Sequence, residues 1–293
     1  MDKRYQLQFT VNKESQILRE AIAIWGISKR TLTAIKFNGG NLLVNGEEKN
    51  VRHPLQIGDV VTIIFPPEEV SGGLMPEYGP LPIVYEDEAV LVVDKPAYMS
   101  TIPSREHPTG SVANFLCGYF KQQGIASTVH IVTRLDRDTS GLMVIAKHRH
   151  IHHLMSEQQK KGLVHREYEA LVEGVIKQQL QSIIAPIGRK ETSIIEREVR
   201  EDGQFAHTDV KVLANGDNIS HVRLKLHTGR THQIRVHMAS IGHPLVGDEL
   251  YGGSRKLLDR QALHCRFVQF QHPLTGQILQ FESAFPNEFS KLL

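Results

Sequence analysis

The first part of the chain carries apolar residues at helical spacing and then in short strand-like runs. Residues 15–25 read SQILREAIAIW, with apolar positions on one helical face and Ser15 placed to cap the helix. Ser28 is placed in the same way before a second short helix over 28–37. Strands are predicted for NLLVNG, which ends in an Asn-Gly turn, and for IGDVVTIIF. The pattern therefore predicts a small α+β unit over residues 1–66.

The segment that follows shows neither a helical nor a strand-like spacing of apolar residues. Residues 67–80 are rich in Pro, Gly and Glu, and their apolar positions match neither a helix nor a strand. We interpret them as a linker.

The third zone, residues 81–293, contains more predicted strands than helices. Two strands around an acidic turn are predicted for IVYEDEAVLVVDKP, and single strands for GLMVIAK, REYEALVEG, FAHTDVKVL, SHVRLKLHTG and ALHCRFVQFQHP. Helices are predicted over 148–162, ended by Gly162, and over THQIRVHMASIG, ended by Gly242. Because strands and helices do not alternate, the order favours an α+β domain around a mostly antiparallel sheet.

Composition places the chain among soluble globular proteins. Hydrophobic residues make up 40% and charged residues 23% of the sequence. No apolar run approaches the roughly 18 residues of a spanning helix, and no apolar stretch follows the charges of MDKRYQLQFTVNKES. Cys117 and Cys265 are too few for a disulfide framework. We therefore expect a cytoplasmic protein with reduced thiols.

The distribution of charge says more than its sum, which is only +2. Between Asp217 and Asp248 there is no acidic residue. The basic residues of this window are Arg223, Lys225, Arg230 and Arg235, with five histidines among them. A long window of one sign predicts a local positive field that suits a polyanion.

A dense polar turn lies between two apolar runs in HIVTRLDRDTSGLMVIAKH, residues 130–148. It sets Asp136 and Asp138 beside Arg134 and Arg137. The residues alone leave two interpretations open. One is an ion-pair network that caps a strand, and the other is a reactive carboxylate held by cations.

A second cluster spans residues 226–253, LHTGRTHQIRVHMASIGHPLVGDELYGG. His232, Arg235 and His237 begin a predicted helix that Gly229 precedes. Helix N-terminal amides and basic side chains together suit a phosphate, although a solvated basic helix face has the same composition.

Several other chemistries lack their motifs. The sequence contains no GxxxxGK[ST], GxGxxG, CxxC or GxSxG pattern, so no nucleotide cofactor or serine hydrolase site is predicted. The histidines of 148–153 have no carboxylate or thiolate at metal-ligand spacing, so we expect no metal. Asp136 and Asp138 lie too close in the chain to flank one glycosidic bond as separate acid and nucleophile.

Four segments in order resemble the RluA-type pseudouridine synthases, which act on ribosomal and transfer RNA. They are LPIVYEDEAVLVVDKP, TRLDRDTSGLMVIAK, REYEALVEG and LHTGRTHQIRVHMASIGHPLVGDELYG, all within residues 81–285. The resemblance implies a mixed-sheet catalytic domain with a cleft along it. It also implies an isomerase that breaks the bond from ribose to a uracil nitrogen and rejoins the base through carbon 5, without any cofactor.

The same resemblance assigns the central residues of the reaction. Asp136 is the expected catalytic carboxylate, which acts on the sugar or the base as a nucleophile or acts as a base itself. Arg235 is its expected basic partner and would fix its direction. Tyr168 matches the tyrosine that stacks on the target base and takes part in removing the proton from carbon 5. The target uridine has to leave its stack to reach them.

RNA contacts are expected around this centre. Arg134 matches a position whose side chain enters the RNA stack where the flipped base was, since a planar cation can both stack and pair. We assign Arg230 and His232 as phosphate contacts.

The N-terminal zone resembles the S-four RNA-binding domain, a module that often precedes this catalytic domain. The match covers SQILREAIAIWGISKRTLTAIKFNGGNLLVNG and IGDVV. Lys29, Arg30 and Lys36 would lie on its second helix as a candidate RNA face. The same three charges would also fit an ordinary solvated helix surface.

One residue departs from the family pattern. After Lys95-Pro96-Ala97 the family usually has Gly, whereas this chain has Tyr98. Tyr adopts a positive φ less readily than Gly, so we expect an altered turn and assign no site residue there.

Two other functions share these features. A non-catalytic RNA-binding protein would bind RNA without forming product, and a hydrolase using Asp136 on a nucleoside would release free uracil. Nothing in the sequence resembles a heptad seam, so a monomer is expected.

Overall fold

The computed structural model describes residues 4–13, 16–69 and 72–293. We call residues 4–13 and 16–65 the N-terminal lobe. Its elements are β1 (Gln6–Thr10), β2 (Gln16–Ile17), α1 (Leu18–Ile24), α2 (Lys29–Phe37), β3 (Asn41–Val44), β4 (Glu47–Glu48), β5 (Pro54–Leu55) and β6 (Val60–Ile64). An antiparallel sheet runs in the order β1-β6-β3-β4, and β2 pairs with β5.

Local signals explain most of this lobe. The Ser28 hydroxyl accepts a hydrogen bond from the Thr31 amide at 3.1 Å, so the predicted cap of α2 is confirmed. Asn45 and Gly46 both have positive φ, 51° and 86°, as a tight two-residue hairpin turn requires. The first helix begins at Leu18, later than predicted, and the predicted cap Ser15 lies outside the described residues.

The predicted linker has no helix or strand at 66–69 and 72–80, yet it is held in place. The Glu77 amide donates to the Asn114 carbonyl at 3.0 Å, and the Asn114 side chain donates to the Met75 carbonyl at 2.8 Å. The lobes also touch directly, because Tyr5 stacks on His148 with ring centroids 3.8 Å apart.

The C-terminal lobe, residues 72–293, is built on one large sheet. Its first elements are β7 (Ile83–Glu86), β8 (Val90–Lys95), α3 (Val112–Gln123), β9 (His130–Ile131), β10 (Ser140–Ala146), α4 (Arg149–Lys160), β11 (His165–Glu173), β12 (Leu180–Ile184) and β13 (Ile187–Arg189). They continue with β14 (Arg197–Val199), β15 (His207–Asn215), β16 (Ile219–Leu226), α5 (Gln233–Ser240), a 3₁₀ turn (Glu249–Tyr251), β17 (Leu263–Gln271), β18 (Ile278–Glu282) and α6 (Asn287–Ser290).

The sheet order is β12-β15-β16-β11-β17-β10-β8-β7, with β18 on β17 and β9 on β10. Every described pair in this sheet is antiparallel except β10 with β17. The predicted α+β class and the mixed, mostly antiparallel sheet are therefore confirmed. The largest apolar core lies along this sheet and includes Leu91, Leu142 and Phe120.

The parallel pair explains the glycine of RLDRDTSG. Gly141 has a φ of +112°, and a Cβ at this position would lie 2.3 Å from the Cys265 carbonyl oxygen. Only glycine permits both this backbone conformation and this approach of β17. Strand β10 therefore starts in a fixed place directly after the polar turn that precedes it.

No element was predicted for residues 100–129, where helix α3 lies. Its ends carry ordinary signals, because the Ser111 hydroxyl accepts from the Asn114 amide and Gly124 ends the helix at a φ of 69°. Its buried Leu116 and Phe120 pack into the main core.

Candidate active site

The polar turn is a loop, residues 132–139, between β9 and β10, and we call it the Asp136 loop. Its backbone is fixed on both sides of Asp136. Upstream, the Thr101 hydroxyl donates to the Leu135 carbonyl at 2.7 Å. Downstream, the Lys95 ammonium donates to the Arg137 carbonyl at 3.0 Å, and the Arg260 guanidinium donates to the Asp138 carbonyl at 3.0 Å. The carboxylate is therefore presented by an anchored loop.

The structure brings Asp136 and Arg235 together. Arg235 Nη1 donates to Asp136 Oδ2 at 3.1 Å, although the two residues are 99 positions apart. Arg235 is buried and also donates from Nε and Nη2 to both oxygens of Asp248, each at 2.7 Å. Burial opposes its charge, but the hydrogen bonds and charges of Asp248 and Asp136 outweigh burial and raise the pKa of Arg235. Arg235 is thus a fixed cation that orients Asp136.

Tyr168 lies on β11, is only 4% exposed, and lines the same cleft as Asp136. Burial, and then the neighbouring Cys265, raise the pKa of Tyr168 well above the ordinary tyrosine value. In the free protein the phenol is therefore neutral. Its ring is suited to packing against a flat base, and its hydroxyl would need a bound substrate to change its protonation.

His232 lines the cleft beside Asp136. Its Nδ1 pairs with the Tyr251 hydroxyl at 2.8 Å, and its Nε2 lies 3.8 Å from Asp136 Oδ2. Burial lowers the pKa of His232, although the charge of Asp136 opposes that effect. Its assignment as a phosphate contact stays a prediction.

These side chains line a cleft of about 980 Å³ along the sheet. Arg134 and Arg230 are exposed, and both also line a neighbouring cavity of about 420 Å³ next to Arg189 and Arg197. Arg134 and Arg230 therefore stand at the junction of the two spaces. On α2, Lys29, Arg30 and Lys36 are all exposed.

The predicted positive field is weaker than the acid-free window suggests. Arg223 pairs with Glu169 at 2.9 Å, and Arg235 pairs with two carboxylates. His237 is fully buried between the Thr208 hydroxyl and the Ala185 carbonyl. Carboxylates from distant segments thus neutralise much of the window.

Three residues of the site were missed. Asp248 closes the acid-free window and is the buried partner of Arg235, while Tyr251 holds His232. Lys95 is fully buried, and burial lowers its pKa to about 7 while the charges of Asp138 and Asp136 oppose that shift. Asp248 and Tyr251 lie in GDELYG, a part of the family resemblance in which no residue was assigned a role.

We expected an altered turn at Tyr98, but the residue keeps the backbone conformation that glycine would adopt there. Tyr98 adopts a φ of 65°, the left-handed conformation that glycine usually supplies. The Lys95 ammonium donates to the Pro96 and Met99 carbonyls at 2.9 and 2.8 Å, and these bonds hold the turn. A left-handed non-glycine residue costs about 1–2 kcal/mol, which such bonds offset.

A group of possible metal ligands outside the centre, His207, Asp209 and His227, merits comparison with metal geometry. The imidazoles stack with an interplanar angle of 14°, and their Nε2 atoms lie 3.1 and 2.6 Å from separate Asp209 oxygens. Both imidazoles therefore turn their Nε2 atoms toward the same Asp209 carboxylate. The arrangement is that of a carboxylate bridging two imidazoles.

The cleft of the mixed sheet thus holds a buried guanidinium, an accessible carboxylate and a packed tyrosine. Residues 89–240 match the family described as RNA pseudouridylate synthase. The chain belongs to this family and is an RluA-type enzyme, an isomerase that forms pseudouridine in RNA.

Relatives match over most of their length. The chain is 53% identical over 268 residues to "Uncharacterized RNA pseudouridine synthase YjbO" of Bacillus subtilis, covering 92% of this chain and 95% of that protein. It is 38% identical to "Ribosomal large subunit pseudouridine synthase D" of Pseudomonas aeruginosa, covering 87% and 83%. Among solved structures, human RNA pseudouridylate synthase domain containing 1 matches with a TM-score of 0.58 at 27% identity, covering 74% and 86%.

Across the described part of the chain, no helix has the length and apolarity to cross a membrane.

Proposed function

We propose that this enzyme isomerises specific uridines of ribosomal RNA, with transfer RNA as the other candidate substrate, and that Asp136 is its catalytic carboxylate. The observation that carries the proposal is the contact of Asp136 with Arg235 in the floor of the cleft. The Asp136 side chain keeps 28% of its surface exposed, so a substrate can reach it, while the side chain of Arg235 keeps only 8%. The preference for large-subunit ribosomal RNA follows the name of a relative at 38% identity.

The chemistry asks three things of the protein. The uridine has to leave its stack, a carboxylate has to act on it, and the detached base has to turn against a flat surface before carbon 5 bonds to the ribose. We assign the carboxylate to Asp136 and the flat surface to Tyr168. Arg134 would fill the gap in the RNA stack, and Arg230 would hold a phosphate at the cleft mouth. His232, which lines the cleft beside Asp136, is proposed as a second phosphate contact.

The remaining assignments follow the same reasoning. We propose that α2, with Lys29, Arg30 and Lys36, is the RNA face of an S-four-like N-terminal domain. We expect a cytoplasmic monomer that needs no cofactor or metal.

Tritium release tests the central claim. RNA transcripts of ribosomal and transfer RNA carrying tritium at carbon 5 of uracil are incubated with the protein, since that hydrogen leaves when carbon 5 becomes the glycosidic atom. We expect release from at least one transcript, and dividing that transcript would locate the uridine. Tight binding without release from any RNA would favour a non-catalytic binding protein, and free uracil would show a hydrolase.

We expect Tyr168→Phe to bind RNA like the wild type and to release tritium at least about a hundredfold more slowly, the usual scale of a lost proton-transfer group. The ring stays in the cleft, and only the buried hydroxyl is removed. Single-turnover tritium release measures the effect. Tyr119→Phe is the matched control, because it removes a hydroxyl bonded to Glu86 outside the cleft. Normal turnover of Tyr168→Phe would leave Tyr168 with the stacking role alone.

Replacing Lys29, Arg30 and Lys36 together by Gln tests the N-terminal face. Each lost phosphate contact should lower the slope of log affinity against log salt by about 0.7–0.9. We expect weaker RNA binding with a shallower slope, and an unchanged single-turnover rate at saturating protein. A control that removes three other exposed lysines, Lys177, Lys211 and Lys256, changes net charge equally. Equal effects of the two triple variants would show that α2 has no particular role.

A further inference from the structure

Arg166 places a guanidinium in the cleft without a protein partner. It lines the cleft with Tyr168 and is partly buried. Its Nε is buried and has no hydrogen-bond partner, and no ion pair of Arg166 exists among the described residues. Neither the family match nor the resemblance assigns it a role.

The two buried arginines of the site, in contrast, both have hydrogen-bond partners. Arg235 is held by Asp248 and Asp136, and Arg260 by Glu288 and the Asp138 carbonyl. Arg166 is only partly buried, but its Nε is withdrawn from water without a partner, and a buried polar group left unpaired is costly. The unpaired Nε of Arg166 therefore points to a partner that arrives with the substrate.

The surroundings leave this guanidinium open. Arg166 stands two residues before Tyr168 on β11, which places both side chains on the same face of the strand. Across from it is Gly229, where a Cβ would lie 2.8 Å from Arg166 Nη2. A side chain at 229 would displace the guanidinium, so glycine here preserves its position. Lys225, also at the cleft, adds a second positive charge.

We propose that Arg166 binds a backbone phosphate of the RNA nucleotide seated over Tyr168. The planar fork of a guanidinium matches two phosphate oxygens, and no carboxylate in the described parts of the chain pairs with it. This inference rests on the proposed function, because it assumes that RNA enters the cleft at Tyr168. Arg166 would then position the target nucleotide by its phosphate while Asp136 acts on it.

Binding of decauridylate RNA, followed by fluorescence anisotropy at several salt concentrations, tests the contact without requiring turnover. In an Asp136→Asn background, we expect Arg166→Met to weaken binding about tenfold or more, the scale of a lost hydrogen bond to a charged group. The salt slope should fall by about 0.7, as for one phosphate contact of a single strand. Arg166→Lys should keep the slope, and Gly229→Ala should show part of the loss.

Arg255→Met is the control, because it makes the same change at an exposed arginine outside the cleft that pairs with Glu249. Arg166→Met should melt at the wild-type temperature or above, since it removes no hydrogen bond or ion pair between described residues. A clear drop in melting temperature would reveal a structural partner and overturn the proposal. Unchanged affinity and slope would overturn it as well. If binding were unchanged while the pH profile of tritium release moved, Arg166 would act on Tyr168 instead of on phosphate.

The proposed function and the proposed phosphate contact of Arg166 are tested independently. Should wild-type protein release no tritium from any RNA, the proposed function fails, whereas decauridylate binding still decides whether Arg166 contacts phosphate.

Discussion

Asp136→Asn should lower tritium release at least about a thousandfold, the scale on which enzymes lose activity without their reacting group. The amide keeps the size of the carboxylate, and its oxygen can still accept the hydrogen bond that Arg235 donates at 3.1 Å. The neutral amide nitrogen can act neither as a nucleophile nor as a base. The chemical step is therefore lost while the shape of the cleft stays.

Binding and folding should survive this substitution. Thr101, Lys95 and Arg260 hold the backbone of the Asp136 loop, and Arg235 keeps both hydrogen bonds to Asp248. We expect RNA affinity within about threefold of wild type and a stability change within about 1 kcal/mol.

Asp217→Asn is the control, because the same change falls on an exposed side chain that does not line the cleft. It should turn over at close to the wild-type rate. Turnover of Asp136→Asn within about tenfold of wild type, in protein free of the parent enzyme, would contradict the assignment of the carboxylate.

The sequence predicted those parts of the fold that depend on local signals. The spacing of apolar residues and the capping residues within single segments predict the strands β7, β8, β10, β11, β15, β16 and β17 and the helices α2, α4 and α5. The parallel pairing of β10 with β17 joins residues about 124 positions apart, as in Ser140 with His264. No local pattern specifies such a register, so the order of the sheet could not be read from period alone.

The candidate site, like the fold, could be predicted from the sequence only in part. Asp136, Tyr168 and Arg235 were found through ordered motifs, whereas composition misjudged the charge around them. The acid-free window indicated an open positive field because its partners, Glu169 on β11 and Asp136, are distant in sequence. Lys95 was not predicted as part of the site, because its ammonium reaches the Arg137 carbonyl across 42 positions. Contacts of this kind belong to the tertiary structure.

Asp248→Asn should damage both stability and catalysis, although Asp248 does not line the cleft. Its side chain keeps 1% of its surface exposed, and its two oxygens accept from Arg235 Nε and Nη2. The substitution turns one acceptor into a donor facing a buried cation. Removing one partner of a buried pair costs about 3–5 kcal/mol, which corresponds to a drop in melting temperature of roughly 5–8 °C for a chain of this size.

The catalytic loss should appear in kcat more than in KM, because Arg235 without its buried partner no longer fixes the direction of Asp136. We expect a decrease of about a hundredfold in single-turnover rate, the scale of a misplaced catalytic group. Glu249→Gln is the control, since the neighbouring carboxylate is 70% exposed and pairs only with Arg255. In the Asp136→Asn background, Asp248→Asn should lower the melting temperature by at least as much, because Arg235 then loses both carboxylate charges; this drop in an inactive protein separates its structural effect from catalysis. An Asp248→Asn protein that melts and turns over like the wild type would mean that Arg235 holds its position without Asp248, and that the loop anchors alone orient Asp136.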